Sequence, residues 1–226
     1  MKISVLVPVY NEVSTLSEIV RQIRETQYDT EIVIVDDGSD DGTREVLSAL
    51  AGLPEVRAIY HERNQGKGAA VKSALKHASG DVFIIQDADL EYSPQDYARL
   101  LKPIQEGRAK VVYGSRFLGE HRAMYYWHSV GNRLLTWAAN VLFNTTLTDM
   151  ETCYKVFTRD VAGKLKLRSN GWGIDPEITA KVLKRGYRIY EVPISYYGRE
   201  YHEGKKISWR DFLTVLWFLL KYRCVD

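Results

Sequence analysis

Three acids, Asp87, Asp89 and Glu91, fall within five residues directly after the apolar run Val82-Phe83-Ile84-Ile85. Carboxylates gathered at the mouth of a buried strand repel one another and are costly to desolvate, so a positive charge belongs beside them. With Ala88 between them, Asp87 and Asp89 can divide the work, one binding a divalent cation and the other orienting a sugar or a metal-bound water. Hard oxygen ligands of this kind suit Mg²⁺ or Mn²⁺, which commonly also take phosphate oxygens from a substrate. The plainer reading of the same stretch is a solvated acidic turn capping a helix that starts at Pro94.

Two further clusters have the same character. In Asp36-Asp37-Gly38-Ser39-Asp40-Asp41-Gly42-Thr43, the later residues read as a turn and a helix cap. Asp37, directly off a strand, is better placed to accept from a base N–H or a ribose hydroxyl. Asn64-Gln65-Gly66-Lys67-Gly68 is a glycine turn before a helix, where amides can meet phosphate and Lys67 can lean in. It fits neither the phosphate-loop pattern nor the dinucleotide fingerprint, because Val71 stands where a third glycine is needed. That disfavours a dinucleotide oxidoreductase.

These residues need a scaffold that brings them together, and the first 115 residues supply one. Apolar strands are expected at Ile3–Val9, Glu31–Val35, Val56–Tyr60, Val82–Ile85 and Val111–Tyr113. Helical patterns fall at Ser14–Arg24, Thr43–Leu50, Lys67–His77 and Pro94–Glu106. Short, fully apolar strands alternating with helices predict an α/β chain with a mostly parallel sheet covered on both faces. Ligands bind beyond the carboxyl ends of such strands, and every polar cluster falls there, Ser115-Arg116 included. The second half is less regular: residues 123–145 mix helix formers with aromatics, and Asp149–Phe157 and Gly171–Glu177 read as loop-bound elements. A helix over Glu177–Lys184, a strand over Arg188–Val192 and a helix over Ser208–Tyr222 complete the pattern.

The balance of 31 basic against 29 acidic residues leaves a net charge of +2, which argues against a nucleic-acid partner. Two cysteines without paired spacing suggest neither a disulfide framework nor a zinc site. The five histidines show no ligand spacing. The N-terminal apolar stretch is too short for a secretory signal, and Val215–Leu220 is far below the roughly 18–20 residues of a membrane span. A cytoplasmic protein is expected, peripheral on the inner face of the membrane if its last helix meets lipid. With no linker or repeat, residues 1–226 read as a single domain.

Taken together, VPVYNE (7–12), VDDGSDDGT (35–43), NQGKGAA (64–70), QDADLEYSP (86–94), GSRF (114–117), TDMETCYK (148–155) and YGREYHEGKKISW (197–209) resemble the family-2 glycosyltransferases of the GT-A (Rossmann-like) fold, within the dolichyl-phosphate mannose synthase-like branch. The resemblance divides the chain into a nucleotide-sugar-binding half, 1–115, and an acceptor-binding half, 116–226, that ends in an amphipathic helix. It implies that Pro8, Tyr10, Glu12, Asp37, Lys67, Asp87, Ala88 and Asp89 bind the nucleotide-sugar. Asp87, Asp89 and Glu91 would hold the metal. Arg199 and Lys205 would close over the diphosphate and the acceptor phosphate, and Arg116, Arg133 and Asp149 would serve the acceptor. Cys153 stands where relatives often carry Gly, and many relatives continue into transmembrane helices where this chain stops at Asp226.

The resemblance also implies inversion by direct displacement. A hydroxyl acceptor needs a general base, which Asp175 or Glu177 would supply; a phosphate acceptor is already an anion and needs cations to position it. Arg199, Lys205, Lys206 and Arg210 favour a polyprenyl phosphate as acceptor, with a hexose from a GDP-mannose or UDP-glucose type of donor. The apolar helix around Trp209–Tyr222 and the Tyr125-Tyr126-Trp127 patch fit contact with a bilayer, or equally packing on the body. Two rivals stand beside this reading: transfer to a hydroxyl on a glycan or small molecule, and a non-catalytic nucleotide-sugar-binding scaffold.

Overall fold

The computed structural model describes residues 1–199 and 209–225, with side chains in the last helix from Phe212 onward. Seven strands form one sheet: β1 (Ile3–Val9), β2 (Thr30–Asp36), β3 (Val56–Tyr60), β4 (Val82–Ile85), β5 (Val111–Ser115), β6 (Lys155–Thr158) and β7 (Ile189–Pro193). Their order is β3-β2-β1-β4-β6-β5-β7, with β6 antiparallel to both of its neighbours and every other pairing parallel. Among the described residues, eight α-helices accompany it: α1 (Leu16–Glu25), α2 (Thr43–Leu50), α3 (Lys67–His77), α4 (Tyr97–Gln105), α5 (Tyr126–Phe143), α6 (Arg159–Ala162), α7 (Ile174–Lys184) and α8 (Trp209–Cys224).

The central strands are buried on both faces, which is why they read as unbroken apolar runs. In α1 only Leu16, Ile19, Val20 and Ile23 are buried, a single stripe laid against the sheet. Register then brings the strand ends into line. Val9 lies opposite Asp36, Asp36 opposite Tyr60, and Leu6 opposite Ile85. From β1 the chain winds outward through β2 and β3, then returns to place β4 on the other side of β1. This reversal opens a crevice between the carboxyl ends of β1 and β4, the usual ligand position in such sheets.

Two expectations for the second half change. Asp149–Phe157 contains a true strand, β6, wedged between β4 and β5 by pairs such as Phe83–Phe157 and Val112–Val156. Four residues carry little local signal; long-range pairing decides them. The helix expected from Glu177 starts at Ile174, and nine consecutive residues, Ile174 to Val182, are buried. A helix buried all round shows no amphipathic stripe to read. At the other end α8 packs on α5 and α7, burying Val215, Leu219 and Tyr222 and seating Phe218 over Gly173.

Candidate active site

The two aspartates ending β2 part company. Asp36 is fully buried and holds Arg44 Nε at 2.7 Å. Asp37 faces the loop after β3, accepting from the backbone N–H of Gly66 at 2.7 Å and of Gln65 at 3.0 Å. It also meets His61 Nδ1 at 2.6 Å, and His61 Nε2 reaches the Ser73 hydroxyl at 2.8 Å. Asp37 thus builds the Asn64–Gly66 turn. Gly66 can make that turn because its φ is +96°, and an added Cβ would sit 2.6 Å from the Asn170 carbonyl.

The turn aims Lys67, the first residue of α3, into the crevice. Its Nζ lies 2.8 Å from Asp87 and 5.8 Å above the Trp172 ring. Burial alone would lower the pKa of this lysine, but Asp87, Cys153 and Asp175 outweigh it and hold the ammonium charged. Asp89 has no such match. Leu90 adopts a φ of +64°, and the turn it makes lets Asp89 accept from the Glu91 N–H at 3.0 Å. Burial first, then Asp87 and Glu91, push the Asp89 carboxyl up to about 8. A half-buried acid repelled by two others fits a cation beside it.

Glu91, expected among the metal ligands, turns away from that position. Its carboxylate accepts from the Tyr196 hydroxyl at 2.8 Å and from the Arg199 N–H at 2.7 Å. No three His, Cys, Asp or Glu side chains converge as a metal cage among the described residues. The protein therefore offers one or two carboxylates, Asp89 and Asp87, a set suited to Mg²⁺ or Mn²⁺ that shares its shell with phosphate and water. Arg199 crosses the same crevice. Its Nε donates to the Asp89 carbonyl at 2.9 Å, and Nη1 and Nη2 donate to Glu12 at 3.0 and 2.8 Å. Pro8, Tyr10 and Ala88 line the ends of β1 and β4, Ala88 buried and Tyr10 open to solvent. Lys205, also expected here, lies outside the described residues.

On the far side of β4 the charges are matched. Arg116 is buried against Asp149 in a two-pronged pair, Nε–Oδ2 and Nη2–Oδ1 both 2.7 Å, with the Tyr196 ring 5.3 Å from the guanidinium. Arg133, on α5, lies 5.2 Å from the Phe117 ring. Lys155 Nζ holds Asp175 at 2.6 Å at the start of α7. Glu177 accepts from the N–H groups of Arg168 and Ser169 and pairs with Lys181, which consumes both of its oxygens. It fixes the 168–170 loop. Between these groups sits Glu151, absent from the sequence-based set, with its Oε1 buried and without a hydrogen-bond partner. The one signal for it was an acid inside the TDMETCYK segment.

A mostly parallel α/β sheet, a crevice at its topological switch and an under-compensated Asp-Ala-Asp at the strand end define a GT-A glycosyltransferase. The chain belongs to glycosyl transferase family 2, whose model matches residues 4–166. It is 32% identical to the glycosyltransferase AglJ of Haloferax volcanii over 199 residues, 87% of this chain but only 63% of the length of AglJ. It is 27% identical to an undecaprenyl-phosphate mannosyltransferase of Micrococcus luteus over 216 residues, covering 91% of this chain and 87% of that one. The fold matches glucosyl-3-phosphoglycerate synthase of Mycobacterium tuberculosis, solved with Mn²⁺, UDP-glucose and phosphoglyceric acid. The TM-score is 0.78 at 20% identity, over all of this chain and 80% of that one.

Proposed function

We propose that this glycosyltransferase moves a hexose from a nucleotide diphosphate-sugar to a polyprenyl phosphate, inverting the anomeric carbon, with Mg²⁺ or Mn²⁺. The observation that carries the donor half is the Asp87–Asp89 pair at the β1–β4 crevice, where one acid is paired with Lys67 and the other has no ion-pair partner among the described residues. A bound cation there, held by Asp89 and Asp87, would neutralise the diphosphate. Lys67 and Arg199 flank the same spot, and Arg199 becomes available to phosphate by releasing Glu12. Both cations favour departure of the nucleoside diphosphate, because negative charge grows on it as the glycosidic bond breaks. The acceptor phosphate oxygen attacks the anomeric carbon from the opposite side and needs no base. The Micrococcus relative, a mannosyltransferase named for a polyprenyl phosphate, supports that acceptor.

The surface beside the site favours a lipid. On α5, Trp127 (77% exposed), Leu134, Trp137 and Val141 recur at helical spacing and face outward; on α8, Leu213, Trp217 and Leu220 do the same. The inner stripes of the two helices pack together through Leu135, Ala139, Val215 and Leu219, and Lys221 and Arg223 close α8. Apolar faces rimmed by cations suit an anionic bilayer interface. No helix among the described residues is long and apolar enough to cross a membrane.

Transfer to a hydroxyl is the second reading, and Asp175 at the start of α7 is the observation in its favour. Its Oδ1 is already held by Lys155 Nζ at 2.6 Å, so that oxygen is occupied before any acceptor arrives. The deciding assay incubates the purified protein with Mg²⁺ or Mn²⁺, a polyprenyl phosphate and labelled GDP-mannose or UDP-glucose. Label in the organic phase, abolished by Asp89→Ala, is the expected result. Metal-dependent donor hydrolysis with no lipid product would move the assignment to hydroxyl acceptors.

A further inference from the structure

Glu151 lies in the segment joining α5 to β6, and its neighbours there are all paired. Thr148 and Asp149 take Glu191 through their N–H groups, and Asp149 also grips Arg116. The Thr152 hydroxyl donates to the Gly114 carbonyl, and the Cys153 N–H donates to the Tyr92 hydroxyl at 3.1 Å. Glu151 Oε1 alone is buried with no partner, the single side-chain atom in that condition among the described residues. Its charged surroundings are Asp175 and Asp149, which repel it, and Lys155 and Arg116, which attract it. Those two cations are already committed to Asp175 and Asp149. The positive charge is thus supplied and spent; what Glu151 lacks is a hydrogen to accept. A buried acceptor left without one is costly, so its persistence points to a ligand that supplies the donor.

Position narrows the ligand. Two residues along the segment in one direction, Cys153 sits against Asp87, on the donor diphosphate side. Two residues in the other, Asp149 holds Arg116, on the acceptor side. Under the function proposed above, on which this inference rests, the group that lies between a departing diphosphate and an arriving phosphate is the sugar itself. Sugar hydroxyls are neutral donors of the kind this carboxylate lacks. We propose that Glu151 reads the sugar, its Oε1 accepting a hydrogen bond from one ring hydroxyl of the hexose being transferred. Burial and then Asp175 push its carboxyl up to about 7. A donated hydroxyl favours the ionised form, and donor binding near neutral pH therefore releases protons.

The test measures binding by calorimetry with Mn²⁺, using UDP and UDP-glucose, and GDP and GDP-mannose, on the wild type, E151Q and E151A. Whichever nucleotide-sugar binds is then compared with its monodeoxy analogues. A hydrogen bond to a charged group contributes about 10- to 100-fold in affinity. The expected result is that both variants bind the sugar-free nucleotide as the wild type does, and that E151A loses about that factor for the nucleotide-sugar while E151Q, whose amide oxygen still accepts, loses less. One deoxy analogue should lose the same factor on the wild type and nothing further on E151A. Equal losses for the nucleotide with and without its sugar would make Glu151 structural and overturn the proposal. So would a loss that is the same for every deoxy analogue. A wild type that binds neither nucleotide-sugar would overturn the donor reading itself, a distinct outcome from either of these.

Discussion

Half-buried Asp89 and fully buried Asp149 are treated by the chain in opposite ways. Asp149 receives a two-pronged guanidinium from Arg116 and is fully satisfied. Asp89 receives one backbone N–H, the repulsion of Asp87 and Glu91, and a weaker attraction from Arg199, whose guanidinium is paired with Glu12. The first arrangement is scaffolding, stable by itself and costly to break. The second has no ion-pair partner among the described residues. The difference separates the residues that hold the site from those that await a ligand, and it says which variants should cost turnover and which should cost stability.

The largest expected effect is on turnover. Asp89→Ala should lower the initial rate of sugar transfer by about 10³-fold or more, the scale of losing a main electrostatic contributor at the reacting centre. Its thermal midpoint should match or exceed that of the wild type, because a repelled acid has been removed. A variant that melts early would erase the contrast with Asp149. The converse experiment is Asp149→Asn, which leaves Arg116 buried beside a neutral partner. Breaking such a pair costs about 3–5 kcal/mol, to be read from the chemical denaturation midpoint.

A pH scan sharpens the comparison further. Without a cation the Asp89 carboxyl sits at about 8, against 3.8 for the free group. Between those values the folded state holds a proton that the unfolded chain has released, so stability should fall as pH rises through the interval. Melting curves in EDTA should show this decline, and Asp89→Asn should flatten it; an unchanged slope would mean that Asp89 is compensated after all. The smallest effect belongs to the outer surface. Trp137→Ala or Trp217→Ala should each weaken binding to anionic vesicles by about 1–2 kcal/mol while leaving donor hydrolysis intact.

The same contrast explains what the residues disclosed in advance. Strands β1, β2 and β4 are buried on both faces, so local apolarity alone marks them, and the acids that follow necessarily lie at the sheet's carboxyl edge. Asp37 and Lys67 were legible as polar residues beyond the strand ends, but the grip of Asp37 on the Gln65 and Gly66 amides depends on a turn that spacing does not define. Strand β6 was hidden because its pairing partners lie more than forty residues away in the chain. The turning of Glu91 towards Tyr196 and Arg199 was hidden for the same reason. Lys155 is a fully buried cation whose counter-charge, Asp175, lies on another element, and nothing in its neighbours in sequence announces that. Glu151 was invisible because its distinguishing property is a missing partner, which only coordinates can show.

The Arg199 bridge to Glu12 spans 187 positions of sequence. During synthesis the sheet's first four strands leave the ribosome long before that arginine does. At the usual rates of elongation, roughly 5–20 s separate Asp89 from Arg199. Throughout that interval the nascent chain exposes an acidic notch with Lys67 as its nearest counter-charge. The catalytic crevice is therefore finished from the C-terminal side, and a chain released before Arg199 would carry much of the sheet without the strap that ties the ends of β1 and β4 together.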